Sequence, residues 1–162
     1  MKTLYLDIFS GISGDMFIGA MLDLGVDFHR LENELKKLPL EGYHLHSSRA
    51  KRSHIEGTKF DVHLAHDHSH SHSHPHSHGH DHPHAHEHEH GHSHEHARNY
   101  AEIKMLIARA GLSSWVKEKS TAVFHRIAVA EGKIHGLPPD QVHFHEVGAV
   151  DSIVDIVGAC IA

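Results

Sequence analysis

The sequence predicts an α+β fold, a helix-rich domain with a small mixed sheet, interrupted by a disordered histidine-rich insertion. Three observations carry this expectation. The periodicity of apolar residues gives the order strand, two helices, two strands, insertion, two helices, short strand and helix. Glycine and proline fall where one period gives way to the next. From His66 to His96 every even position is histidine, and no large apolar side chain occurs. Without the insertion, the order resembles a split βαβ, ferredoxin-like arrangement.

Thr3 to Phe9 is short, rich in large apolar residues and followed by Ser10-Gly11, which predicts a strand. From Asp15 the period changes: Phe17, Ile18, Met21 and Leu22 fall at helical spacing. Asp15 stands where an N-cap belongs and Gly25 where that helix should end. A second helix begins near Asp27, with Phe28, Leu31, Leu35 and Leu38 on one face, and Pro39 stops it. Tyr43 to Lys51 and Thr58 to Leu64 read as strands, with Glu56-Gly57 near the turn. In the second strand Phe60, Val62 and Leu64 alternate with Lys59, Asp61 and His63, the pattern of a half-buried strand.

After the insertion, Tyr100 to Ala110 reads as an amphipathic helix ended by Gly111. A longer helix is predicted from about Ser114 to Ile134, with Val116, Val123, Ile127, Ala130 and Ile134 in register. Pro138-Pro139 breaks the chain. Gln141 to Glu146 reads as a short extended piece. A last helix carries the stripe Val150, Ile153, Val154, Val157 and Ile161. The expected division is residues 1–65 as the first half of the domain, 66–96 as the insertion and 97–162 as the second half. The apolar run to Ala162 has no polar cap or Gly-Pro stop, so truncation at the C-terminus is expected.

The insertion holds sixteen of the chain's 25 histidines. It cannot bury enough apolar surface to offset its ordering entropy and is expected to be disordered when free. Imidazole suits Zn, Cu, Ni and Fe, and alternation on a flexible tether gives many overlapping sites. The candidate ligands are His66, His68, His70, His72, His74, His76, His78, His80, His82, His84, His86, His88, His90, His92, His94 and His96. The tract is internal, interrupted and degenerate, unlike a purification tag.

Net charge is −6 with the histidines neutral, which argues against a nucleic-acid partner. Cys160 is the only cysteine, so there is no disulfide framework and no cysteine-based zinc finger. It reads as a buried apolar residue. The first residues lack a signal-peptide pattern and no apolar run reaches the length of a membrane span. A cytoplasmic protein without a membrane partner is the default expectation, and a homo-oligomer is expected.

Two clusters can carry chemistry. The first is Asp7 with the loop Ser10, Gly11, Ser13, Gly14 and Asp15. Free N–H groups at a helix start form an anion site, so Ser10, Gly11, Ser13 and Gly14 are candidates for binding a cofactor or substrate anion. Asp7 and Asp15 are candidates for holding a metal or a basic group. The loop lacks the lysine of a P-loop and the third glycine of a dinucleotide fingerprint. A tight strand-to-helix turn capped by Asp15 is the plain alternative.

The second cluster is His143, His145, Glu146, Asp151 and Asp155. On an extended piece His143 and His145 share a side and Phe144 faces the core. Asp151 and Asp155, four apart, share a helix face. Such a mixed nitrogen and oxygen set suits Ni, Zn, Mn or Fe. His145, Glu146 and Asp151 join Asp7 and Asp15 as catalytic candidates, and His143, His145, Asp151 and Asp155 are the candidate metal ligands. Surface histidines beside a solvated helix edge are the alternative. His44 and His46, alternating on a strand, read as exposed; His29, His54, His63, His125 and His135 read as isolated. The two clusters are expected around one cleft, with Phe9, Phe17 and Met21 on the same core as the last helix.

The opening run Leu6 to Met16, the internal histidine tract and the run His143 to Asp155 together resemble the nickel insertion protein family of the lactate racemase nickel-pincer cofactor pathway. The resemblance covers the whole chain. It implies a cytoplasmic metal-inserting lyase (a chelatase) that places nickel in pyridinium-3,5-bisthiocarboxylic acid mononucleotide, consuming CTP with manganese. It implies that CTP and manganese bind in a carboxy-terminal domain absent here, so that this part alone is inactive. Lactate racemase apoprotein is the partner implied downstream. The competing readings are a nickel store or chaperone without catalysis, and a metal-dependent hydrolase using His143, His145, Asp151 and Asp155.

Overall fold

The computed structural model describes residues 3–7, 9–65, 98–144 and 147–162. The expected disorder of 66–96 and the placement of His145 and Glu146 lie outside the described residues. Five helices and two strands are seen among them: α1 Gly14–Asp23, α2 Phe28–Leu35, β1 Tyr43–Arg52, β2 Ile55–Leu64, α3 Tyr100–Arg109, α4 Ser114–His135 and α5 Val150–Ile161. The α+β class and its helix-rich balance are as expected. The sheet is smaller than expected: β1 and β2 form one antiparallel hairpin, not a mixed sheet of the split βαβ kind.

Two expected strands are not formed. Residues 3–7 have no regular structure and Phe9 is 93 % exposed, so Phe9 is not on the core; Met21 is buried, and Phe17 is only partly buried and outside the core cluster. A strand needs a neighbouring edge for its N–H and C=O groups, and the hairpin is packed elsewhere, on α1 and α5. The segment near residue 143 makes only an isolated bridge, Asn99 to His143, after a short 3-10 turn at Pro139–Gln141. Two bonds fix it: Tyr100 N–H to Val142 O (3.2 Å) and Phe144 N–H to Arg98 O (3.4 Å).

The helices obey their local chemistry. Asp27 caps α2 by accepting from Arg30 N–H at 2.7 Å. Asn99 and Glu102 form a reciprocal capping box on α3 at 2.8 Å each way. Ser113 caps α4, and Gly136 ends it in the left-handed conformation with φ 67°. Ser13, not Asp15, is the N-cap of α1; Asp15 lies in its first turn.

The core lies among all five helices, α3 contributing Tyr100, Ile103 and Ile107, and the inner face of the hairpin. Ile18, Leu31, Leu35, Phe60, Phe124, Phe144, Ile153, Val154 and Val157 are fully buried. Each such side chain contributes roughly 1.5–3 kcal/mol relative to exposure. Helix α4 buries Val116, Ser120, Phe124, Ala128 and Gly132, whereas the expected face members Val123 and Ile134 are exposed. A Cβ on Gly132 would lie 2.5 Å from Leu137 O, so the chain's return past Gly136 needs a glycine there. Likewise a Cβ on Gly19 would lie 2.5 Å from Thr58 O, which lets α1 cross β2 in near backbone contact. The first fixes the chain's return after α4, and the second fixes how α1 lies on β2.

Candidate functional site

The first turn of α1 meets the first two turns of α5. Gly14 makes this possible: a Cβ there would lie 2.6 Å from Asp155 Cβ and 3.2 Å from its backbone carbonyl carbon. Asp15 of α1 and Asp151 of α5 are thereby near enough for their charges to act on Asp155, although the three carboxylates do not all lie within 4.8 Å of one another. Asp155 is half-buried and its Oδ1 is buried without a hydrogen-bond partner. Burial pushes its carboxyl up to about 6, the negative charge of Asp15 adds to this, the Asp15 backbone N–H partly offsets it, and Asp151 adds a smaller push.

Like charges held together with an orphaned oxygen form a place where a cation is stabilising. The donors are hard oxygens, so any transition metal held only by them is held loosely. His143 is exposed at its bridge with Asn99, and Phe144 beside it is 2 % exposed, so the expected alternation of outward imidazole and inward ring holds at these two positions. Asp151 is exposed in the first turn of α5, one turn before Asp155. The structure places Asp15 and Asp151 within electrostatic reach of Asp155; Asp7 is exposed on the irregular segment 3–7.

The expected anion-binding loop is only partly as pictured. Ser10 and Gly11 are exposed, and Gly11 takes φ 84°. Ser13 makes no side-chain cap bond, while its carbonyl accepts from Phe17 N–H at 3.0 Å. Gly14 is pressed against Asp155. The start of α1 is therefore covered at Gly14 by the chain's own Asp155.

An open groove of about 540 Å³ lies between the start of α1 and the hairpin, with Asp15, Met16, Arg52, Ile55, Lys59 and Phe60 in its lining. Arg52 and Lys59 are single basic residues on strands, which in a sequence look like any solvated position. Cys160 is half-buried, and burial pushes its thiol up, away from the thiolate form a metal would need. No helix among the described residues is long and apolar enough to cross a membrane.

The comparisons agree with one another. The nickel insertion protein family model matches residues 4–162. A pyridinium-3,5-bisthiocarboxylic acid mononucleotide nickel insertion protein of Lactiplantibacillus plantarum is 53% identical over 163 residues, covering 99% of this chain and 37% of that protein. A protein of the same name from Geobacillus kaustophilus is 48% identical over 168 residues, covering 100% of this chain and 35% of that protein. One from Desulfitobacterium hafniense is 42% identical over 161 residues, covering 99% and 33%. The chain thus spans about a third of the length of these relatives. No solved structure matches. With a family model spanning nearly all of its residues, this chain, with its carboxylate cluster between α1 and α5, belongs to the nickel insertion protein family.

Proposed function

We propose that this chain is the nickel-handling part of an enzyme that inserts nickel into pyridinium-3,5-bisthiocarboxylic acid mononucleotide. The single observation that carries the reading is the close packing of Gly14 on Asp155, which sets the buried, unpartnered carboxylate of Asp155 under the charges of Asp15 and Asp151. In this reading the three carboxylates hold nickel, the reaction's metal substrate, and His143, His145 and Glu146 complete the donor set. Gly14 lies against Asp155, with Ser13 before it as the N-cap of α1, and Asp7, Ser10 and Gly11 are proposed to contact the substrate from the exposed chain that leads into that helix. The mononucleotide carries a phosphate, and the groove with Arg52 in its lining is where that anion would sit, with Asp15 at one end. Oxygen and nitrogen donors suit transient holding, because nickel must leave them for sulfur and carbon ligands.

CTP and manganese belong, in this proposal, to parts of the longer protein outside these 162 residues. So does the hand-over of the finished cofactor to lactate racemase, and the cytoplasm and a homo-oligomer are the setting. The test is direct. The complete protein is given substrate, nickel, CTP and manganese, with and without residues 66–96, and mass spectrometry reads nickel in the mononucleotide. Insertion that survives the deletion supports the enzyme. A second reading, a store or chaperone without catalysis, is favoured by the sixteen histidines of the tract. It requires no nickel in the mononucleotide with either protein and a loss of nickel capacity on deletion.

A further inference from the structure

We propose that His46, Asp61 and His63 form a divalent transition-metal site on the outer face of the hairpin, apart from the carboxylate cluster. This stands independently of the insertion reading, because it concerns metal binding by the hairpin alone. Their ligand atoms all lie within 4.8 Å of one another, and among the described residues they are the one such group of three or more His, Cys, Asp or Glu found.

The register builds the site. His46 stands directly opposite Asp61, and His44 opposite His63. Side chains directly opposite one another share a face, as do residues two apart on one strand. His44, His46, Asp61 and His63 therefore share the outer face, while Phe60 is buried on the inner one and Leu45 and Val62 pack there against the core. The inner face is anchored. Tyr43 donates from its hydroxyl to Leu35 O at 3.2 Å, and α1 lies across β2. Ligands on paired strands are held in place better than ligands on loops.

Ring geometry selects three of the four. His46 and His63 meet edge to face, with centroids 5.9 Å apart and planes at 89°. Two rings so disposed can turn a nitrogen each toward a common point beside Asp61. His44 instead stacks on His63 at 5.2 Å and 14°, so their in-plane lone pairs run parallel and do not converge. His44 supports the orientation of His63 and is not a ligand. Two imidazoles and a carboxylate on an open face leave positions for water or an incoming ligand, an arrangement suited to Zn(II), Ni(II) or Co(II). Lys59 reaches Asp61 at 2.6 Å. Its ammonium neutralises the carboxylate when no metal is there and competes with one that arrives.

The test uses the whole 162-residue chain, labelled with nitrogen-15, and Zn(II) as the probe. Imidazole nitrogens are followed residue by residue, so metal taken up elsewhere in the chain does not obscure the hairpin. The ring nitrogens of His46 and His63 should shift together in one binding step. His46→Gln should abolish that step at His63, and Asp61→Asn should weaken it at least about tenfold. Lys59→Met should strengthen it. Unchanged amide signals of Phe60 and Val62 show in each variant that the hairpin is intact. A His63 response that is the same in His46→Gln, or no response of either ring after Zn(II) has saturated the chain's other histidines, overturns the proposal. So does an affinity indifferent to Asp61 and Lys59, which leaves two independent surface imidazoles.

Discussion

Gly14 touches Asp155: the hydrogen that occupies the Cβ position of Gly14 points at the side chain of Asp155, with room for nothing larger. This contact joins the two sequence runs, one at each end of the chain, that carry the family resemblance.

Gly14→Ala should therefore destabilise the protein by about 1–3 kcal/mol, the usual range for overpacking. It should also spread the carboxylates apart. Gly11→Ala is the control. It meets no atom within 4 Å and is strained only through its φ of +84°, a cost of about 1 kcal/mol. Urea unfolding of the two variants checks the difference, with Gly14→Ala expected to have the lower midpoint.

The raised carboxyl of Asp155 gives a pH dependence of definite sign. An ordinary aspartate releases its proton near 3.8, and Asp155 in the folded chain near about 6. Between these values the folded state binds more protons than the unfolded one, so stability falls as pH rises through that window. Above it the penalty persists in metal-free protein. Asp155→Asn should remove this penalty, so the variant's advantage over the parent should be larger at pH 7 than at pH 4. Thermal melts at both values in chelator measure it, and an equal difference at the two pH values would show that the carboxylate is not held under repulsion.

The hairpin turn offers a stability gain. Ser53 and His54 both take left-handed conformations, φ 46° and 70°, which most side chains resist. Replacing them with Asn-Gly, which suit such a two-residue turn, should stabilise the chain by roughly 0.5–1 kcal/mol. A rise in the unfolding midpoint without a change in slope is the expected result.

That turn also shows what the sequence hid. Ser-His carries no turn signature, so the turn was expected near Glu56-Gly57, whereas Gly57 pairs with Ala50 inside the ladder. The core face of α4 was misread because Ser120 and Gly132 occupy it, and counting apolar residues favours Val123 and Ile134 instead. Thr3 to Phe9 has the composition of a strand, but composition cannot say whether a partner edge exists. Where burial and period agreed, as in Leu31, Leu35, Ile153, Val154 and Val157, the reading was right. Asp151 and Asp155 were legible as a pair because four-residue spacing is local. Their meeting with Asp15 is a long-range contact, and the only local hint was a glycine just before Asp15. The ligand set on the hairpin was illegible until the register paired His46 with Asp61.

The histidine tract should bind several Ni(II) ions at about pH 7.5 and lose most of them by about pH 5, because a protonated imidazole cannot ligate and a free histidine titrates near 6.5. Calorimetry at both values checks it. Equal stoichiometry at the lower pH would assign the binding to Asp67, Asp81, Glu87, Glu89 and Glu95 of the same stretch.

The most direct measurement is nickel insertion by the complete protein carrying Asp15→Asn or Asp155→Asn, read by mass spectrometry of the mononucleotide, with nickel, CTP and manganese saturating. Each substitution alters a carboxylate of the gathered cluster and leaves the tract's histidines in place. The predicted result is a loss of insertion of at least about tenfold in Asp15→Asn and in Asp155→Asn, with circular dichroism and the nickel capacity of the tract unchanged. Insertion at the parent rate in both would contradict a nickel site between α1 and α5, and would leave Asp15 and Asp155 as a helix edge and the neighbour it packs against.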